Sequence, residues 1–304
     1  MGRLLVIGAA GLIGRFVLAE AQRSGVADAV IGRASAEMPE AHVLRLSPDT
    51  VDALARLLER LRPEAIVNCT GRTWGDPDAL RRANVESVVS LLEAMRIAAP
   101  SARLVHLGSA AEYAEVPGGR TDEGAPLEAS TPYAASKLEA FRLVSEAAES
   151  GLDAVVVRVF NPIGPGMPAT SVPGRAARLL REAGEAGTAA VELGPLDAVR
   201  DYVDVRDVAT AVQVLASGPR PPHRVYNVGS GRPTVVRDLV SMIAERVGFA
   251  GQIRETAAAS PRSGGVRHQV ADIRRMRATG WVPVVDLGES VDALVMSLDG
   301  GTSG

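Results

Sequence analysis

Two rhythms of hydrophobic and polar positions alternate along this chain. Short unbroken apolar runs, "RLLVIG" (3–8), "AVIG" (29–32), "EAIVNC" (64–69), "ARLVHLG" (102–108) and "LDAVVVRVF" (152–160), have the length of strands buried on both faces. Between them lie stretches with helical spacing: 12–25, which ends at a glycine stop, "TVDALARLLERL" (50–61), 76–99 and 133–149. Strand and helix in strict alternation imply right-handed crossovers, and so predict an α/β protein built on a doubly wound parallel sheet.

The rhythm weakens after Asn161. "NPIGPGMPATSVPG" (161–174) and "SGPRPPH" (217–223) read as loops. Residues 1–160 are therefore expected to form the main domain, with a segment of about 195–228 returning to it. Residues 161–298 are expected to be mainly a smaller C-terminal region, and 299–304 a flexible tail.

Composition narrows the picture. Of 304 residues, 46% are hydrophobic but only 3% aromatic, so the core must be aliphatic. The net charge of −3 argues against a nucleic-acid partner. A single cysteine, Cys69, and four scattered histidines argue against a disulfide framework or a metal centre and suit a cytoplasmic, metal-free protein. No apolar run approaches the roughly 20 residues of a membrane helix, so no membrane association is expected.

"GAAGLIG" (8–14) joins the first strand to the first helix and spaces Gly8, Gly11 and Gly14 evenly. Such a turn lets the backbone approach a pyrophosphate at a helix N-terminus, although glycines in a strand–helix turn also serve packing alone. The second strand ends "VIGRAS", with Arg33 where an acidic residue would hold the ribose of NAD; Arg33 suits a 2′-phosphate, or is an ordinary surface arginine.

The chain has 32 arginines and one lysine, Lys137, in "TPYAASK" (131–137). Tyr133 lies four residues before it, on the same helix face. An isolated phenol has a pKa of about 10, and a nearby ammonium stabilises its phenolate. Lysine offers a compact head with rotatable donors that arginine's planar fork does not reproduce. Ser109 follows the "ARLVHLG" strand, at the sheet edge where doubly wound folds bind ligands. Each of these residues has a bland reading when taken singly.

Together they resemble the short-chain dehydrogenase/reductase superfamily, in its extended, nucleotide-sugar-modifying branch, with a Rossmann-type fold. The resemblance runs nearly end to end and includes "RVFNPIGPG" (158–166), "RDYVDVRDVA" (200–209), "YNVGSG" (226–231) and Asp272 with "GWVP" (280–283). It implies that Ser109, Tyr133 and Lys137 are catalytic, with Asn84 supporting a relay water. It implies that Gly8, Ala10, Gly11, Leu12, Ile13, Gly14, Arg33, Thr70, Leu107, Phe160 and Ile163 line the dinucleotide with Tyr133 and Lys137. Asn161, Arg200 and Arg262 then fall at positions that bind the sugar diphosphate, beside Ser109.

Departures from the family pattern narrow the reaction. Sugar 4,6-dehydratases of this branch follow the catalytic hydroxyl with acidic residues, whereas Ala110 and Ala111 follow Ser109, and Glu112 comes one position late and is expected to face elsewhere. The chain is most similar to GDP-6-deoxy-D-mannose reductases and related nucleotide-diphosphate 4-keto-6-deoxyhexose reductases. That resemblance implies NADP(H), in preference to NAD(H), as the hydride source for a C4 ketone. A UDP-glucose-type 4-epimerase uses the same triad with NAD, and normally carries the acidic residue absent near Arg33. A dinucleotide-sensing protein without turnover is the reading from another class, and such proteins typically lose the tyrosine or the lysine. Helices 84–99 and 133–149 match those that form a homodimer in the family. Trp74 either lines the sugar site or packs as a partly buried residue.

Overall fold

The computed structural model describes residues 3–25, 27–31, 46–256 and 265–298. The first half of the chain runs β1 (Leu4–Ile7), α1 (Gly14–Arg23), β2 (Ala27–Ile31), α2 (Val51–Leu61), β3 (Ala65–Asn68), α3 (Pro77–Arg81), α4 (Ser87–Ala98), β4 (Arg103–Ser109), α5 (Pro132–Glu149) and β5 (Ala154–Val159). There follow β6 (Pro162–Ile163), α6 (Val172–Glu185), β7 (Ala190–Leu193), β8 (Val199–Asp201), β9 (Val203–Asp204), α7 (Val205–Ser217) and β10 (Val225–Val228). The last elements are β11 (Pro233–Val235), α8 (Val236–Arg246), β12 (Gln252–Glu255), β13 (His268–Gln269), α9 (Arg274–Arg277) and α10 (Leu287–Met296).

Six strands form a wholly parallel sheet in the order β10-β5-β4-β3-β1-β2. Strand order reverses at β1, so the carboxyl ends of β1 and β3 open the crevice that a doubly wound sheet offers to ligands. Alternation along the strands sorts side chains between two cores. Val105 and Leu107 of β4 join α1 and α7 on one face, and Leu104 joins α2, α4 and α5 on the other. A third core, with Leu180 of α6, Ile243 of α8 and Leu294 of α10, is built by the later part of the chain.

The helical pattern read across 76–99 is interrupted. Asp76 caps α3 by accepting from Ala79 N at 2.8 Å, a π-helical turn spans Arg82–Glu86, and α4 follows. The wide turn adds a residue without breaking the axis, a feature common where a helix must aim a side chain. Here that side chain is Asn84, which is buried.

"RDYVDVRDVA" proves to be a set of structural fasteners. The Asp201 carboxylate accepts from Ser230 N and Oγ, Gly231 N and Ala271 N. Asp204 caps α7 and accepts from Ser290 Oγ of α10 at 2.7 Å. Asp207 accepts from the Val284 and Val285 amides, while its own carbonyl takes the indole N–H of Trp281. Three carboxylates at threefold spacing thus tie the C-terminal segments to the sheet.

Candidate active site

The turn after β1 is tight because its residues have no side chains to keep it open. Gly8 has φ +79°, and a Cβ there would stand 2.9 Å from the Cys69 carbonyl carbon and from Thr70 N, at the end of β3. A Cβ on Gly14 would strike the Gly8 carbonyl, so this glycine sets how closely α1 approaches the turn. Gly11 N closes the turn on Gly8 O at 3.0 Å. Beyond it α1 starts at Gly14 after Ile13, with no side-chain cap, as at α2 and α8, and with no acidic residue in its first turn, whereas α2 and α8 carry Asp52 and Asp238 there. The positive end of a ten-residue helix with no acidic residue in its first turn suits a phosphate. These features fit a dinucleotide laid across Gly8, Ala10, Gly11, Leu12, Ile13 and Gly14, with Thr70 beside it. Arg33 and Arg262 lie outside the described residues.

Ser109 ends β4, where its Oγ accepts from Ala111 N at 3.2 Å and its hydroxyl proton stays available to donate. Thr131 caps α5 and Pro132 opens it, which sets Tyr133 in the first turn and Lys137 one turn later. This helix packs on both β4 and the short turn 110–112 that follows Ser109. Lys137 is 5% exposed, and its Nζ donates to the Leu107 carbonyl at 2.5 Å. Burial pushes the ammonium below the usual lysine range, with Glu112 and Cys69 opposing that effect.

Apart from Glu112, the groups against this ammonium are neutral. Burial, and secondarily Lys137, hold His106 well below the ordinary imidazole value. Thr70 N and Oγ1 both donate to Asn68 Oδ1, so the Asn68 amide must donate through Nδ2, which lies 3.2 Å from His106 Nδ1. That contact assigns the imidazole proton to Nε2. Burial raises the Cys69 thiol to about 12, so it remains a thiol.

Asn84 makes three hydrogen bonds, two from its amide nitrogen and one to its oxygen. Its Oδ1 accepts from Arg72 N at 2.7 Å, and its Nδ2 donates to Arg72 O at 2.9 Å and Ser136 Oγ at 2.8 Å. It therefore pins the loop after β3 to α5. On that loop Trp74 is 54% exposed, and its ring carries the Arg72 guanidinium at 4.5 Å. Leu107 and Ile163 point into the cores. Phe160 is wholly buried, so it could border a ligand only through its backbone.

Asn161 holds φ +21°, a region Asn tolerates better than most residues, and donates from Nδ2 to Asp201 O at 3.0 Å. Arg200 on β8 is 9% exposed; its guanidinium donates to Val199 O and Val266 O, and burial draws its pKa down. Gln269 pairs with Arg200 in register and donates to Ala110 O at 2.9 Å, which draws this strand against the Ser109 loop. Gln269 carried no signal in the sequence, because its partner is a main-chain carbonyl 159 residues away.

The sheet, the glycine turn and the Ser109, Tyr133 and Lys137 arrangement define an extended short-chain dehydrogenase/reductase. The chain belongs to the NAD dependent epimerase/dehydratase family, whose family model matches residues 4–229. It is 35% identical to dTDP-6-deoxy-L-talose 4-dehydrogenase (NAD(P)(+)) of Kitasatospora kifunensis, over 96% of this chain and 94% of that one. It is 28% identical to GDP-6-deoxy-D-mannose reductase of Pseudomonas aeruginosa, over 96% of each chain. Among solved structures, the UDP-glucose 4-epimerase of Thermus thermophilus in complex with NAD superposes with a TM-score of 0.84 at 27% identity, covering 99% of this chain and all of that one. Family and relatives are NAD(P)-dependent enzymes of nucleotide-sugar modification. No group of His, Cys, Asp and Glu able to hold a metal occurs among the described residues. None of the described helices is long and apolar enough to cross a membrane.

Proposed function

We propose that this protein reduces the C4 ketone of a nucleotide-diphosphate 4-keto-6-deoxyhexose with NADP(H). The observation that carries the reading is the buried, backbone-anchored Lys137 one helical turn from Tyr133, on a helix packed against the Ser109 turn. A bound nicotinamide supplies the hydride to C4. Ser109 donates a hydrogen bond to the ketone oxygen, Tyr133 gives its phenolic proton to the alkoxide that forms, and Lys137 stabilises the resulting phenolate. Ala110 and Ala111 follow Ser109, and both oxygens of the nearby Glu112 carboxylate are engaged by Ser109 N and Arg158, which supports a reading without the proton abstraction a dehydratase needs.

Arg200 and Asn161 are assigned to the diphosphate. A guanidinium held on main-chain carbonyls, with no carboxylate paired to it among the described residues, keeps its charge for a phosphate. Arg262 is assigned to the same group by its motif position. Arg33 and the missing acidic residue after β2 support NADP(H) over NAD(H). The name of the K. kifunensis relative puts dTDP-linked sugars first among candidate substrates. A homodimer through α4 and α5 is proposed, supported by Val89 (42% exposed) and Ile97 (62% exposed) on α4.

Likeness to a UDP-glucose 4-epimerase keeps 4-epimerisation as a second reading. Both are tested by mixing purified protein with a panel of nucleotide-diphosphate 4-keto-6-deoxyhexoses and following NADPH and NADH absorbance separately. Steady NADPH oxidation supports the reductase. No oxidation with any ketosugar, together with tightly held NAD and interconversion of 4-epimers, would transfer the assignment to the epimerase.

A further inference from the structure

Directly beneath Ser109 lies an ion pair that the chemistry above does not use. Glu112 and Arg158 are both buried, and Glu112 Oε2 accepts from Arg158 Nε at 2.6 Å. The other carboxylate oxygen, Oε1, accepts from Ser109 N at 2.7 Å. The guanidinium is held between two rings, Tyr113 at 4.4 Å and Phe141 at 4.2 Å. Phe141 lies on α5, one turn beyond Lys137.

The surroundings are shaped for this pair. Gly108 has no side chain, and a Cβ there would stand 2.8 Å from Glu112 Oε1 and 2.9 Å from Val156 Cγ1. Arg158 is in register with Gly108 on one side and Asn227 on the other, and Asn227 Oδ1 accepts from Tyr113 OH at 2.7 Å. The assembly therefore spans β4, β5, β10 and α5. Stability alone does not account for it, because well-packed apolar residues in place of a buried ion pair are often neutral or stabilising. What the pair supplies is directional: one carboxylate binds the Ser109 main chain and, through one guanidinium, the helix that carries Tyr133 and Lys137.

We propose that Glu112 and Arg158 are positioning residues, a buried clamp that fixes the Ser109 hydroxyl relative to Tyr133 and Lys137. This rests on reading Ser109 as the group that holds the reacting oxygen. Small displacements of an oriented donor are costly in rate because its hydrogen bond strengthens only in the transition state.

The test uses the apolar pair E112M/R158M, since Glu112→Gln alone would strand a buried guanidinium and risk misfolding. The clamp predicts that E112M/R158M keeps its unfolding midpoint and NADPH affinity but loses about 30-fold in kcat, with KM little changed. In a Ser109→Ala background the same double substitution should cost less than about 3-fold, because it acts through the hydroxyl already removed. Wild-type kcat in E112M/R158M, or an equal loss with and without Ser109, overturns the proposal. If wild-type protein turns over neither ketosugars nor 4-epimers, the functional reading fails by itself. The clamp is then read from the Ser109 amide proton in a TROSY spectrum, which should lie downfield in wild type and move upfield in E112M/R158M. An unmoved signal overturns the clamp.

Discussion

In a chain with 32 arginines, Lys137 occupies a place that arginine cannot fill: its head reaches the Leu107 carbonyl within a buried space bounded by Gly71, Cys69 and His106. The charge is costly there. Burial depresses the folded-state pKa, so the unfolded chain binds the proton more tightly than the folded one. The penalty is complete below the folded pKa and fades as pH rises through it toward the unfolded value. Lys137→Met should therefore raise the urea midpoint at neutral pH, with the advantage over wild type narrowing toward about pH 10, while turnover is lost. Urea unfolding across pH, with activity measured in parallel, checks both halves. Tyr133→Phe removes only the proton donor: kcat should fall by about 10²–10⁴-fold while NADPH still binds, as fluorescence titration will report.

Secondary elements were legible to different depths. Runs such as "EAIVNC" read as buried strands because hydrophobic patterning is a local property, and β3 forms at Ala65–Asn68 within it. The π turn at Arg82–Glu86 was not legible, because periodicity over 76–99 does not register one added residue per turn. Glycine motifs lie between these cases, since spacing suggested their role and contacts distinguish them. Gly14→Ala should destabilise the fold by about 1–3 kcal/mol and weaken NADPH binding, despite alanine's better helix propensity, because the new methyl meets the Gly8 carbonyl. Gly184, near the end of α6, faces open space, and Gly184→Ala should stabilise by about 0.5–1 kcal/mol. Urea melts of the two variants should move in opposite directions.

Assembly is decided on the surface of the folded chain, where exposed Val89 and Ile97 lie on the outer face of α4, eight residues apart and so about two turns from each other. A charge placed there costs little in an isolated chain and much in a packed interface. Ile97→Glu should convert the proposed homodimer to a monomer in light scattering, with the thermal midpoint of the monomer near that of wild type. A wild-type protein that is already monomeric contradicts the dimer.

Local and periodic features can be read from the chain alone: strands, helices, the glycine turn, and the Tyr133 and Lys137 pair on one helix face. Their order is enough to imply a doubly wound sheet and, through the assembled motifs, the family. Which polar groups meet is decided only on folding. The sequence leads one to expect Glu112 to face away from the reacting centre, and its burial against Arg158, 46 residues along the chain, places it under the Ser109 backbone instead. Asp201, Asp204 and Asp207 likewise fasten segments that no spacing rule connects to them. The physical reason is that side-chain periodicity is set by neighbouring residues on the same element. A buried hydrogen bond is set by whichever donor the fold brings within about 3 Å, however distant in the chain.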